Sequence, residues 1–129
     1  MKVPTFYRYN FSNHGYFPTI PLVLLKGRQR VRSLALIDSR ASISIFRTEV
    51  AEKLGIDIES GEQRIMTGVG GKIAGYLHKV KIRVAEKNIL CPVIFSKKYK
   101  ASFNLLDRQG FFDKFIITFD EKRKHVILS

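Results

Sequence analysis

The 129-residue sequence contains no tryptophan, one cysteine, four prolines and only 11 acidic residues. The lone thiol, Cys91, excludes an intrachain disulfide framework and fits a reducing, cytoplasmic setting. No apolar run approaches the length of a membrane span, so no transmembrane helix is expected. The opening MKVPTFYRYNF has neither a continuous apolar stretch nor a small-residue cleavage site, and it does not read as a signal peptide. His14, His78 and His125 stand far apart and no cysteine cluster joins them, which argues against a metal site; nothing implies a cofactor.

What is present is basic and apolar. Lysine and arginine number 23, giving a net charge of +12, and hydrophobic residues make up 45% with ten Phe and five Tyr. That length and apolar share suit a single domain over residues 1–129 with a real core. The cations are scattered: Lys26, Arg28, Arg30 and Arg32; Lys79, Lys81 and Arg83; Lys97, Lys98 and Lys100; Lys122, Arg123 and Lys124. Several alternate with apolar residues, as on the wet face of strands. That reading stands ahead of a nucleic-acid partner, which charge alone would suggest.

Residues 1–17 lack a clear period and read as an irregular arm. Strands are expected over Ile20 to Leu25 and Arg30 to Ile37, joined by a turn at Lys26-Gly27-Arg28. A short apolar strand, Ile43 to Phe46, precedes a helix over Glu49 to Leu54, with Thr48 as N-cap and Gly55 as its C-terminal glycine. Gly68, Gly70, Gly71 and Gly75 mark a hairpin tip before the alternating strand Tyr76 to Val84. Further strands are expected over Ile89 to Phe95, where Pro92 argues for an edge or a bulge, Phe103 to Leu106, Phe115 to Phe119 and His125 to Leu128. About eight short strands and one helix make a mostly β barrel or sandwich.

Asp38 directly follows the apolar run Leu34-Ala35-Leu36-Ile37. A carboxylate there is costly unless paired or functional, though an Asx-turn at a strand end is the plain alternative. The segment Ala35-Leu36-Ile37-Asp38-Ser39-Arg40-Ala41-Ser42 resembles the catalytic segment of the retropepsin-like (retroviral-type) aspartic proteases. The strand and helix ending Leu54-Gly55-Ile56, the glycine-rich hairpin, and the stretch Asn104-Leu105-Leu106-Asp107-Arg108-Gln109-Gly110-Phe111-Phe112-Asp113 follow in the family's order over roughly residues 18–128.

The resemblance implies a closed acid-protease barrel with one helix and a glycine-rich flap at Gly68, Val69, Gly70 and Gly71. It implies Asp38 as the catalytic aspartate, an active-site loop of Ser39, Arg40 and Ala41, and a second signature at Leu105, Leu106, Asp107 and Arg108. It implies a homodimer, because one chain carries one of the two aspartates that must share a proton. Peptides or proteins are the implied substrates.

Two positions depart from the family pattern. Arg40 and Asp107 stand where the family has glycines, which allow close backbone approach. A cation beside Asp38 favours its ionised form, against the shared proton, so peptidase activity is expected to be impaired. The opposite signs predict a buried or half-buried Arg40–Asp107 ion pair. The alternatives are an inactive peptide-binding or dimerisation module of the same fold, and a basic nucleic-acid-associated β-domain.

Other residues read as structural. Gly68-Val69-Gly70-Gly71-Lys72 lacks the spacing of a phosphate loop. Ser39 and Ser42 have no histidine partner for a hydrolase triad. Cys91 is expected to be buried and inert, His78 to be on the surface, and Asp113 and Asp120 to serve a short helix and the last turn.

Overall fold

Alternation of apolar and polar residues builds the long strands and sets what faces inward. The computed structural model describes residues 3–12, 15–38, 43–68 and 71–129. They form β1 (Thr5–Arg8), β2 (Asn10–Ser12), β3 (Gly15–Phe17), β4 (Thr19–Lys26), β5 (Gln29–Ile37), β6 (Ser44–Phe46), α1 (Thr48–Leu54), β7 (Glu62–Gly68), β8 (Gly71–Val84), β9 (Lys87–Phe95), β10 (Asn104–Leu106), β11 (Ile117–Asp120) and β12 (His125–Leu128). Single 3-10 turns cover Ile58–Ser60 and Phe112–Lys114.

Seven strands make one sheet in the order β4-β5-β10-β6-β9-β8-β7, and β4 also pairs with β8. That extra pairing returns the sheet to its first strand, so six strands close a circuit and β7 extends beyond it on β8. Closure removes the exposed strand edges that an open sheet would leave. Every second residue faces in: Ile20, Leu22 and Leu24 on β4, Val80, Ile82 and Val84 on β8, and Ile89, Cys91 and Val93 on β9 are all buried. α1 lays Val50, Ala51 and Leu54 against β5 and β4. It ends at Gly55, whose φ of 71° is left-handed backbone that glycine adopts without strain.

Several expectations need correction. The described part of residues 1–17 is not an irregular arm. β1 pairs antiparallel with β12 (Thr5↔Leu128 to Arg8↔His125), and β2 pairs with β3. β1 forms only with a partner about 120 residues away, which local periodicity does not report. Thr48 is the first helical residue rather than the N-cap; Arg47 stands there without a side-chain cap, its N–H donating to Asn104 Oδ1 at 2.8 Å. Strand β10 begins at Asn104, leaving Phe103 exposed. β9 is not an edge strand: it lies between β6 and β8. Its pairing with β6 starts at Val93, so at Pro92 the strand has only β8 (Lys79) as neighbour, and the missing N–H is tolerated.

Candidate active site

The strand that ends at Asp38 runs parallel to β10, with Ala35↔Asn104, Leu36↔Leu105 and Ile37↔Leu106. Asp38 and Asp107 therefore follow side by side from neighbouring strand ends. The Asp38 N–H donates to Leu106 O at 3.0 Å, which extends the ladder by one bond and fixes the Asp38 backbone. On the other side, Ile37 N–H donates to Pro18 O at 3.0 Å. Asp38 is half-buried. Of the expected active-site loop, Ser39, Arg40 and Ala41 lie outside the described residues.

Asp107 is fully buried, with Leu106 beside it also buried, Leu105 partly so and Arg108 exposed. Ser44 Oγ donates to Asp107 Oδ1 at 2.9 Å and accepts the Asp107 N–H at 3.1 Å. Cys91 Sγ lies 3.9 Å from Ser44 Oγ. Among the described residues, Asp107 Oδ2 has no hydrogen-bond partner. Burial pushes the Asp107 carboxyl up to about 6; the Ser44 hydroxyl and the backbone N–H groups of Gln109 and Asp107 pull the other way, and Asp113 adds to the rise. The same dry surroundings push the Cys91 thiol up to about 11, which makes it the inert thiol expected. Arg40, the other half of the expected ion pair, lies outside the described residues.

The turn after Asp107 packs directly on β9. Gly110 has φ +88°, and a Cβ there would stand 2.5 Å from Pro92 Cδ. Phe112 N–H returns to Asp107 O at 3.3 Å, closing the turn before the 3-10 segment that holds Asp113.

The glycine-rich hairpin is present. β7 and β8 pair from Glu62↔Leu77 to Gly68↔Gly71, and Gly71 has φ 101°. Val69 and Gly70 lie outside the described residues. At the hairpin base, Gly75 sits where a Cβ would meet Ile94 Cγ2 at 2.4 Å, and Ser96 Oγ donates to Ala74 O at 2.6 Å. These contacts anchor the base of the hairpin on β9.

Two residues beside the site carry roles that were not foreseen. Asn104 is buried; its Nδ2 donates to Ser33 Oγ (2.6 Å) and Leu34 O (2.9 Å), and its Oδ1 accepts from Arg47 N–H. It ties β10 to β5 and to the start of α1. Ser44 is buried under Asp107. The signal for both was a polar residue inside a short apolar run, where burial demands hydrogen bonds. His78 is half-buried rather than on the surface, its Nε2 2.8 Å from Ile58 O and its ring against Phe95, because the 3-10 turn Ile58–Ser60 packs on that part of β8. Asp120 does serve the final turn, accepting Arg123 N–H at 2.9 Å. Among the described residues no three His, Cys, Asp or Glu side chains form a group that could hold a metal ion.

The family model described as "aspartyl protease" matches residues 23–93, more than half of the chain. The chain belongs to this aspartyl protease family. The match includes Asp38 and the hairpin but stops before β10 and Asp107. A retropepsin-like aspartic protease from Rickettsia conorii has the same fold over 99% of this chain and 100% of its own, with a TM-score of 0.76 at 17% identity. The EIAV protease, in complex with an inhibitor, matches 75% of this chain and 86% of its own, with a TM-score of 0.57 at 19% identity. These likenesses extend the retropepsin-like fold past the end of the family match. No curated protein is significantly similar to the chain. No helix among the described residues is long and apolar enough to cross a membrane.

Proposed function

We propose that this aspartyl protease is an endopeptidase whose active unit is a homodimer, each protomer contributing one Asp38. The observation that carries the reading is the seating of Asp38 at the end of β5, held through its backbone by Leu106 of the parallel neighbour. A single carboxyl cannot serve as acid and base at once, so the mechanism takes the second from a partner copy. The ionised aspartate takes a proton from water as that water adds to the scissile carbonyl, and the protonated one donates to the carbonyl oxygen. Collapse of the tetrahedral diol expels the amine, which leaves with a proton. In this reading Ser39 bonds across the two-fold axis, and Gly68, Val69, Gly70 and Gly71 form a flap that closes over the peptide and excludes water. Leu105, Leu106, Asp107 and Arg108 back the catalytic loop from within the same protomer. The lone buried thiol suits a cytoplasmic site of action.

The test is cleavage of an unfolded protein at pH 4–6, with sedimentation to count protomers. Activity lost in Asp38→Asn and blocked by a pepstatin-type inhibitor supports the reading. Turnover unaffected by Asp38→Asn sinks it.

A second reading, a binding module without turnover, is favoured by one observation: a buried carboxyl at Asp107 stands beside Asp38, in a position where the family pattern has glycine. Peptide binding with no cleavage supports it. Arg40→Gly, which restores the family's glycine two residues after Asp38, is then expected to raise cleavage at least tenfold. A double-mutant cycle between Arg40→Gly and Asp107→Asn tests their pairing; a coupling below about 0.5 kcal/mol rules the pair out.

A further inference from the structure

The outer face of the barrel collects cations in register. Leu25 on β4 lies between Arg30 on β5 and Lys81 on β8, and Val23 lies between Arg32 and Arg83. All four basic residues are exposed, and among the described residues none of them is in an ion pair. Strand geometry puts the two rows about 7 Å apart and the flanking cations about 10 Å from each other. The face is thus a two-by-two grid of positive charge with apolar residues at its middle.

This grid runs into a groove. A depression lined by Arg32, Leu34, Arg83 and Glu86 shares Arg32, Ser33 and Leu34 with a larger one of about 740 Å³ beside β2, β3 and α1. The larger part is walled by Phe11, Phe17 and Phe103, which are 68, 38 and 41% exposed. Exposed aromatic rings next to a basic track cost solvation and need a reason. The two carboxylates at the groove are Glu49, tied to Arg47 at 2.8 Å, and Glu86.

We infer that this basic and aromatic groove binds single-stranded nucleic acid. Cations follow the phosphates and the phenylalanine faces stack bases, the two contacts on which sequence-tolerant single-strand binding rests. An acidic peptide would use the grid but has no use for the rings. A flat anionic bilayer cannot enter the groove. Arg32 is six residues before Asp38 along β5, about 20 Å away at ~3.3 Å per residue, while the far wall of the groove includes Leu36, two residues before Asp38, so the track starts away from the proposed peptidase site and ends beside it.

Fluorescence anisotropy of a labelled twelve-nucleotide oligouridylate, titrated with the full chain between 50 and 200 mM NaCl, tests this. Four phosphate contacts predict a log–log salt slope near −3, at ~0.7 per contact. The double variant Arg32→Glu/Arg83→Glu is expected to bind at least tenfold more weakly. Lys98→Glu/Lys122→Glu, with the same change in net charge, is expected to lose less than threefold. Arg30→Gln/Lys81→Gln provides a second, milder test of the grid, with a loss of threefold or more. Phe11→Ala/Phe103→Ala is expected to lose at least fivefold with the salt slope unchanged, and Asp38→Asn to bind as the wild type. Equal losses in grid and control variants overturn the inference, as does binding too weak to detect at 100 mM salt. So does competition by polyglutamate or phosphatidylserine vesicles as strong as that by unlabelled RNA. A change in sedimentation of Phe11→Ala/Phe103→Ala would also overturn it, marking the groove as a contact between copies.

Discussion

Ser44 holds Asp107 from two directions, donating its hydroxyl to Oδ1 and accepting the Asp107 N–H, both inside the protein. One hydroxyl on β6 thereby fixes the strand end that lies beside Asp38. The other carboxyl oxygen, Oδ2, has no hydrogen-bond partner among the described residues. Burial outweighs the donors that the carboxylate does have, Ser44 and the backbone N–H groups of Gln109 and Asp107, and keeps the proton on to about 6.

This gives a pH-dependent stability. The folded value of about 6 lies above the ordinary 3.8, so the folded state holds the proton longer than the unfolded chain. Stability from this group is fully present below pH ~4 and is lost as pH rises through ~6, by up to about 3 kcal/mol. Asp107→Asn keeps an acceptor for Ser44 and removes the titration. Its stability relative to the wild type should rise by that amount between pH 4 and pH 8 in urea melts. Parallel pH profiles of the two proteins would show that Asp107 ionises without penalty.

Asn104 joins three elements through one amide. Asn104→Ala leaves the Arg47 N–H and Leu34 O short of partners in a partly buried place, and a loss of about 1–2 kcal/mol is expected. Chemical denaturation should show it, together with faster amide exchange at Arg47. A loss below about 0.5 kcal/mol would mean that water replaces the amide.

Gly110 combines a left-handed φ with contact against Pro92. Gly110→Ala should cost about 2 kcal/mol or more, because the added methyl must displace a proline ring. A Tm unchanged within a degree would contradict the packing described between the turn and β9.

The Cys91 thiol, raised to about 11 by burial, is expected to resist alkylation by iodoacetamide at pH 8 in the folded protein and to react at once in urea. Mass spectrometry distinguishes the two. Rapid labelling of the native chain would place the thiol at the surface.

Much of the barrel was legible in residue order. The period-two runs in β4, β5, β8 and β9 declared which side faces inward, and Gly55 declared where α1 stops. The apolar run before Asp38 declared a buried strand end, whatever its chemistry. Other features were not legible, for one shared reason. β1 against β12, Ser44 under Asp107 and Asn104 between β5 and α1 all join residues distant in the chain, and no local pattern encodes such partners.

The sequence by itself determined that this is a mostly β chain with an aspartate closing an apolar strand, because side-chain periodicity and turn residues act over a few neighbours. Only the tertiary structure decided what surrounds that aspartate. The parallel pairing of β5 with β10 set Asp107 next to it, and the closure of the sheet took Asp107, Ser44 and Cys91 out of water. Proton affinity depends on solvation and on nearby groups in space, so those properties arise only once the strands are assembled.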